Sequence, residues 1–192
     1  LPIYDKTGEI KTGKCLTTPQ DPSDAVEEGI RALEATTPDF VGKLDELIHG
    51  TTLVINSIIE RKGAKTGLIT TKGFKDVLEI GREIRYAPYD IFAEFPEPLI
   101  PRRLRVEVDE RIRSDGSVLK ALDPEDVKKA VSTLLDMGVE SIAVCLLNSF
   151  ENPAHEQKIL EIIEKEAPEI STSISYHVLP QIKEYERTST TV

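Results

Sequence analysis

The stretch Leu47-Ile48-His49-Gly50-Thr51-Thr52 sets an imidazole, a glycine and two hydroxyls side by side. Asn56 and the basic pair Arg61-Lys62 follow at about one-turn and two-turn helical spacing. The apolar start predicts a strand ending on a loop at the mouth of a helix, where α/β proteins bind ligands. There Gly50 would let backbone approach a ligand closely, and Thr51 and Thr52 could hold an anion or a carbonyl oxygen. The same residues also suit a plain helix cap with His49 bonded to backbone, and residue types alone leave both readings open.

Three further segments carry candidate groups. Thr70, Thr71 and Gly73 follow the strand-like Gly67-Leu68-Ile69 and read as a second ligand loop or as an ordinary turn into a helix. They lack the spacing of a phosphate-wrapping loop. Arg61-Lys62-Gly63 also suits a helix C-terminus, with Gly63 as its left-handed residue. Glu186, Arg187 and Thr188 lie in a hydroxyl-rich tail. That tail could touch a nucleotide or a neighbouring domain, or be a helix whose packing partner lies elsewhere. No metal site is expected, because His49, His155 and His177 lack ligand spacing. His155 is expected on the surface in a first helical turn, and His177 at a strand end. Cys15 and Cys145 read as two buried thiols of a reducing cytosol.

The elements that must position these groups follow from patterning. The 192 residues are 39% hydrophobic and 30% charged, globular values, with a net charge of -10. That balance argues against nucleic acid and anionic membrane as partners. No run of about 18 apolar residues could span a bilayer. Residues 1–17 predict a β-hairpin turning at Asp5-Lys6-Thr7-Gly8. Asp21-Pro22, Asp123-Pro124 and Asn152-Pro153 each open a helix. A nearly unbroken apolar run over 141–147 and a further strand over 171–177, each following a helix, predict buried strands of a parallel layer. Residues 86–120 read as an insertion, irregular and then antiparallel around Ser114-Asp115-Gly116. The predicted class is α/β, a mixed sheet with flanking helices. With no initiator Met, and ends that stop inside patterned segments, the chain reads as a fragment of a longer protein.

Taken together, Thr17-Thr18-Pro19-Gln20-Asp21-Pro22, the 49–52 segment, Asn56, the run from Arg61 to Phe74, Asp76 to Arg82, and Glu184 to Thr191 are ordered as in one family. The chain resembles the N-terminal region of the hydantoinase A / 5-oxoprolinase family over nearly all its length. The resemblance implies part of an actin-like ATPase (RNase H-like) fold using ATP and Mg. It implies a cytoplasmic enzyme that phosphorylates and opens a small cyclic amide, working as an oligomer with a hydantoinase B type subunit or fused domain. It places His49, Thr51 and Thr52 in catalysis. Gly50, Asn56, Arg61, Lys62, Thr70, Thr71 and Gly73 would line the substrate or phosphate cleft. Glu186, Arg187 and Thr188 would meet nucleotide or a neighbouring domain. The family's first phosphate-binding hairpin would precede Leu1, and its adenosine pocket would follow Val192, so a partial nucleotide site is expected. The alternatives are a ketone carboxylase subunit and a non-catalytic module that docks a partner.

Overall fold

Short acid–proline pairs decide where the helices begin, and apolar runs between them decide where the strands lie. The computed structural model describes residues 2–4, 8, 10–18, 20–84, 89–94 and 96–192. They form two compact units, 1–52 and 53–192.

In the first unit β1 (Pro2–Tyr4) pairs antiparallel with β2 (Ile10–Thr12), the predicted hairpin. Its predicted turn, residues 5–7, lies outside the described residues. Helix α1 (Pro22–Thr36) starts where Asp21 accepts a hydrogen bond from Ser23 N at 2.9 Å. The helix buries Gly29 and Leu33. Cys15 is exposed, its thiol 3.0 Å from Ala25 O, so the expectation of two buried thiols fails here. It sits in irregular chain past β2, with no sheet to cover it. The strand predicted before His49 is also absent. Asp45 and Glu46 cut the apolar run to Leu47-Ile48, too short to earn a ladder partner, and Ile48 is 84% exposed.

The second unit opens with α2 (Leu53–Glu60), which buries none of its side chains. It closes in a left-handed turn at Arg61 (φ 52°), not at Gly63 as expected. Lys62 N donates to Ser57 O at 3.0 Å and Arg61 N to Ile58 O at 3.3 Å. Then come β3 (Thr66–Thr71), α3 (Val77–Ile80), β4 (Arg105–Val108), β5 (Arg111–Ile112) and β6 (Val118–Lys120). The chain ends with α4 (Pro124–Asp136), β7 (Ser141–Cys145), α5 (Ala154–Glu166), β8 (Ser171–Ile174), α6 (Ser175–Val178) and α7 (Glu184–Thr191).

The main sheet has the order β4-β3-β7-β8, every pair parallel. Antiparallel pairing is confined to β1–β2 and β5–β6. Residues 67–71 are all buried, as are 142–145, so the central strands are covered on both faces. Leu68, Ile69, Ile142 and Val144 meet Val127, Val131 and Leu134 of α4 and Ile159 and Ile163 of α5 in one core.

Two expectations need correcting. The 86–120 segment is not wholly an insertion: residues 86–88 and 95 lie outside the described residues, β5–β6 is the hairpin, but β4 is a strand of the main sheet. Within that segment Arg105 is buried because its guanidinium ties Ile100 O, Lys75 O and the Glu79 carboxylate. The strand predicted to reach His177 stops at Ile174, where Ser175 and Tyr176 turn into α6 to bond Glu156.

Candidate functional site

From β3 the chain runs to β4 on one side, then crosses back to β7 on the other. The carboxyl ends of β3 and β7 are therefore a topological switch point, where open α/β sheets leave a crevice for ligands. An open depression of about 180 Å³ lies there, lined by Thr70 of β3, Cys145, Leu146 and Leu147 after β7, and Arg187 and Thr188 of α7. Phe74, Val77 and Glu184 complete its walls.

Arg187 is fully buried. Its Nη2 donates to Leu146 O at 3.0 Å and its Nη1 to Gln181 O at 2.5 Å. The Phe150 ring centroid is 5.6 Å from its Cζ, and the Glu184 carboxylate is 3.9 Å from Nη2. Its Nε is the one buried side-chain nitrogen or oxygen without a partner among the described residues. Beside it the Cys145 Sγ lies 3.0 Å from Thr188 Oγ1. Burial pushes the Cys145 thiol up, and the nearby Arg187 charge only partly opposes that.

Two buried carboxylates hold this edge. Glu156 accepts from Leu146 N at 2.9 Å, Ser175 Oγ at 2.6 Å and Tyr176 N at 2.9 Å. Glu110 accepts from the Thr71 hydroxyl, which itself accepts from Leu147 N at 2.9 Å. The second Glu110 oxygen meets His155 Nδ1 at 2.6 Å. His155 is therefore buried, not superficial: it starts α5 but faces the sheet, drawn in by Glu110. His177 is exposed within α6.

Of the residues singled out by sequence, Thr70, Thr71, Arg187 and Thr188 come together at this edge. Gly73 follows β3 in a left-handed turn (φ 92°), with its N–H 2.8 Å from Glu107 Oε1. Glu186 pairs with Arg82 at 2.7 Å; its own backbone amide, helped by Arg82, holds the carboxyl below its usual range. Arg61 and Lys62 make their contacts elsewhere. Arg61 donates to Glu97 O at 2.5 Å and Pro98 O at 3.1 Å. Lys62 pairs with Glu60 at 2.7 Å, which raises its pKa. His49, Gly50, Thr51 and Thr52 are exposed, irregular chain of the first unit, while Asn56 is exposed on α2 of the second.

The site residues not foreseen are Glu110, His155, Glu156 and Glu184. Periodicity carried a signal for two of them: Glu156 shares a helical face with Ile159 and Ile163, and His155 with Ile159 and Ile162. Donor chemistry decides what this edge can hold. A magnesium ion needs several oxygen ligands. The edge offers a guanidinium, and among the described residues no group of three or more His, Cys, Asp or Glu could hold a metal.

Comparison with known proteins places this geometry in context. Residues 2–167 match the family described as the hydantoinase/oxoprolinase N-terminal region. The chain is 39% identical over 202 residues to the acetophenone carboxylase gamma subunit of Aromatoleum aromaticum, covering 96% of this chain and 28% of that one. The crystal structure of the ATP-dependent caprolactamase of Pseudomonas jessenii superposes with a TM-score of 0.88 at 32% identity, over 99% of this chain and 28% of the other. A nucleotide-free acetone carboxylase structure gives 0.85 at 29% identity, over 99% and 29%. The chain thus spans less than a third of the length of these relatives.

Proposed function

Since the chain belongs to the hydantoinase/oxoprolinase N-terminal region family, we propose that it is part of an ATP-dependent enzyme that opens a cyclic amide. The observation that carries this reading is the likeness, over 99% of the chain, to a caprolactamase described as ATP-dependent. A lactam resists water because its amide is stabilised by resonance, and coupling to ATP supplies the missing drive. In this reading His49, Thr51 and Thr52 act in catalysis, while Gly50 and Asn56 line the cleft around them. Thr70, Thr71 and Gly73 belong to the substrate or phosphate cleft, and Arg61 and Lys62 are its outer members. Glu186, Arg187 and Thr188 serve the nucleotide or a neighbouring domain. A partner subunit of the hydantoinase B type, or an equivalent fused domain, completes the enzyme. The gamma-subunit name of one relative supports that.

A second reading has its own support. The acetophenone carboxylase subunit is 39% identical, and an acetone carboxylase superposes at 0.85. In that case the activated substrate is a ketone with bicarbonate. ATP hydrolysis by the complete protein with its partner separates the two. Stimulation by caprolactam, 5-oxoproline or a hydantoin supports the hydrolase. Stimulation only by a ketone with bicarbonate moves the protein to the carboxylases, and no stimulation by either leaves a docking module. In the responding assay His49→Ala is expected to lower turnover by about 10²-fold or more, the usual effect of losing a positioned acid–base group. Unchanged turnover would remove His49 from the site.

A further inference from the structure

We infer that Arg82 fastens α7 to the end of α3 as a salt-sensitive latch, and that this latch governs access to Arg187 and Thr188. The two helices are anchored to different strands. On the α3 side, Asp76 accepts two bonds from Arg102, just before β4, at 2.6 and 3.1 Å. One turn on, the Glu79 carboxylate meets the buried Arg105 of β4. On the α7 side, Arg187 reaches Leu146 O, just past β7, at 3.0 Å. Among the described residues one side-chain hydrogen bond joins the α3 end to α7. It runs from Arg82 Nε to Glu186 Oε1 at 2.7 Å, between residues 104 positions apart. The Tyr185 ring supports it: its centroid lies 5.9 Å from the Arg82 Cζ, and a Cβ built on Gly81 would lie 3.8 Å from the same ring. Gly81 ends α3 at φ 56°, a backbone that glycine adopts freely, and so hands the chain to Arg82 at this spot.

The fastening is weak. The Arg82 side chain is 61% exposed and that of Glu186 21%, and ion pairs so placed contribute little and are screened by salt. What it holds is weak too. Helix α7 has eight residues, too few to persist as a helix away from its support. Release therefore unravels α7 rather than moving it as a rod. Arg187 and Thr188 are buried while the latch is closed, so a nucleotide or a neighbouring domain can meet them only through such a release. This goes beyond the assignment of those residues by stating when they are reachable, and it stands whichever substrate the enzyme turns over.

Backbone amide hydrogen exchange of the ¹⁵N-labelled protein measures the release. Amides of α7, such as Arg187 N bonded to Lys183 O at 3.0 Å, report the latch, and amides of α4 and α5 report the core. Raising sodium chloride from about 0.01 M to about 1 M shortens the screening length from about 30 Å to about 3 Å. Exchange in α7 should then quicken about two- to fivefold, the scale of one exposed ion pair. The core should not follow, because salt relieves the self-repulsion of a chain carrying a net charge of -10. Arg82→Gln should give the same increase at low salt and remove the salt response, whereas Arg82→Lys, which keeps the charge, should retain it. Exchange in α7 unmoved by salt and by Arg82→Gln would overturn the inference. So would an increase shared equally by α4 and α5, since Arg82 would then be a general stabiliser. Neither readout depends on ATP-coupled turnover, so the inference and the enzymatic reading fail separately.

Discussion

Glu156 holds one end of β7 and the start of α6 with a single carboxylate. Replacing it by alanine strands Leu146 N and Tyr176 N and leaves Ser175 Oγ only the Ser149 hydroxyl at 3.0 Å. Glu156→Ala is expected to destabilise the 53–192 unit by about 3–5 kcal/mol, measured by urea unfolding followed by circular dichroism. A loss below ~1 kcal/mol would mean that water replaces all three bonds. The two cysteines make a contrast that alkylation can read. Cys15 is exposed, whereas Cys145 is buried with its thiol pushed up by desolvation. Iodoacetamide should modify Cys15 in the folded protein and reach Cys145 only after unfolding, as mass spectrometry of tryptic peptides would show. At this scale the amino-acid types were a partial guide. Arg187 could be picked from the sequence as a candidate, and the structure brings it to the edge where β3 and β7 end. The burial of His155 could not, because it depends on Glu110, 45 positions away.

Helix and strand packing shows its tolerances at Gly67. A Cβ built there would lie 2.8 Å from Leu134 Cδ2 and 2.9 Å from Cδ1, so β3 and α4 touch with no room for a methyl group. Gly67→Ala is expected to cost about 1–3 kcal/mol through overpacking. Adding Leu134→Ala should recover part of that loss in a double-mutant cycle, and strict additivity would contradict the contact. The elements themselves were largely readable. Asp21, Asp123 and the Asn152-Pro153 pair announced three helices, and the unbroken Ser141–Cys145 run announced a buried parallel strand. What failed were places where partners outweigh local pattern. The strand expected to reach His177 ends early at Ile174 because Glu156 captures the next turn.

Charge sets the behaviour of the molecule as a whole. At pH 7 the net charge is -10 and the pI is about 4.9, so mild acidification relieves self-repulsion. Below that point a second effect takes over. A bond from Arg102 holds the Asp76 carboxyl below its usual range, Lys120 does the same for Asp109, and Glu186 is held low by its own amide and Arg82. Depressed carboxyls add stability above their unfolded values of about 3.9–4.3, and that stability is lost as pH falls through the folded values. Urea midpoints should therefore peak near about pH 5 and decline below about pH 4. A midpoint still rising at pH 3 would show that these pairs contribute nothing. The division into two units, 1–52 and 53–192, was not read from the sequence. The α/β class was evident, because alternating helices and apolar strands leave few other arrangements.

The strand order has a consequence for how the chain is made. The central β3–β7 pair closes across about 75 residues, as the bond from Lys65 N to the Glu140 carboxylate marks. A ribosome adding about 5–20 residues per second needs roughly 4–15 s to cover that distance. Throughout that interval the edge of β3 that β7 will cover stays unpaired on a nascent polypeptide.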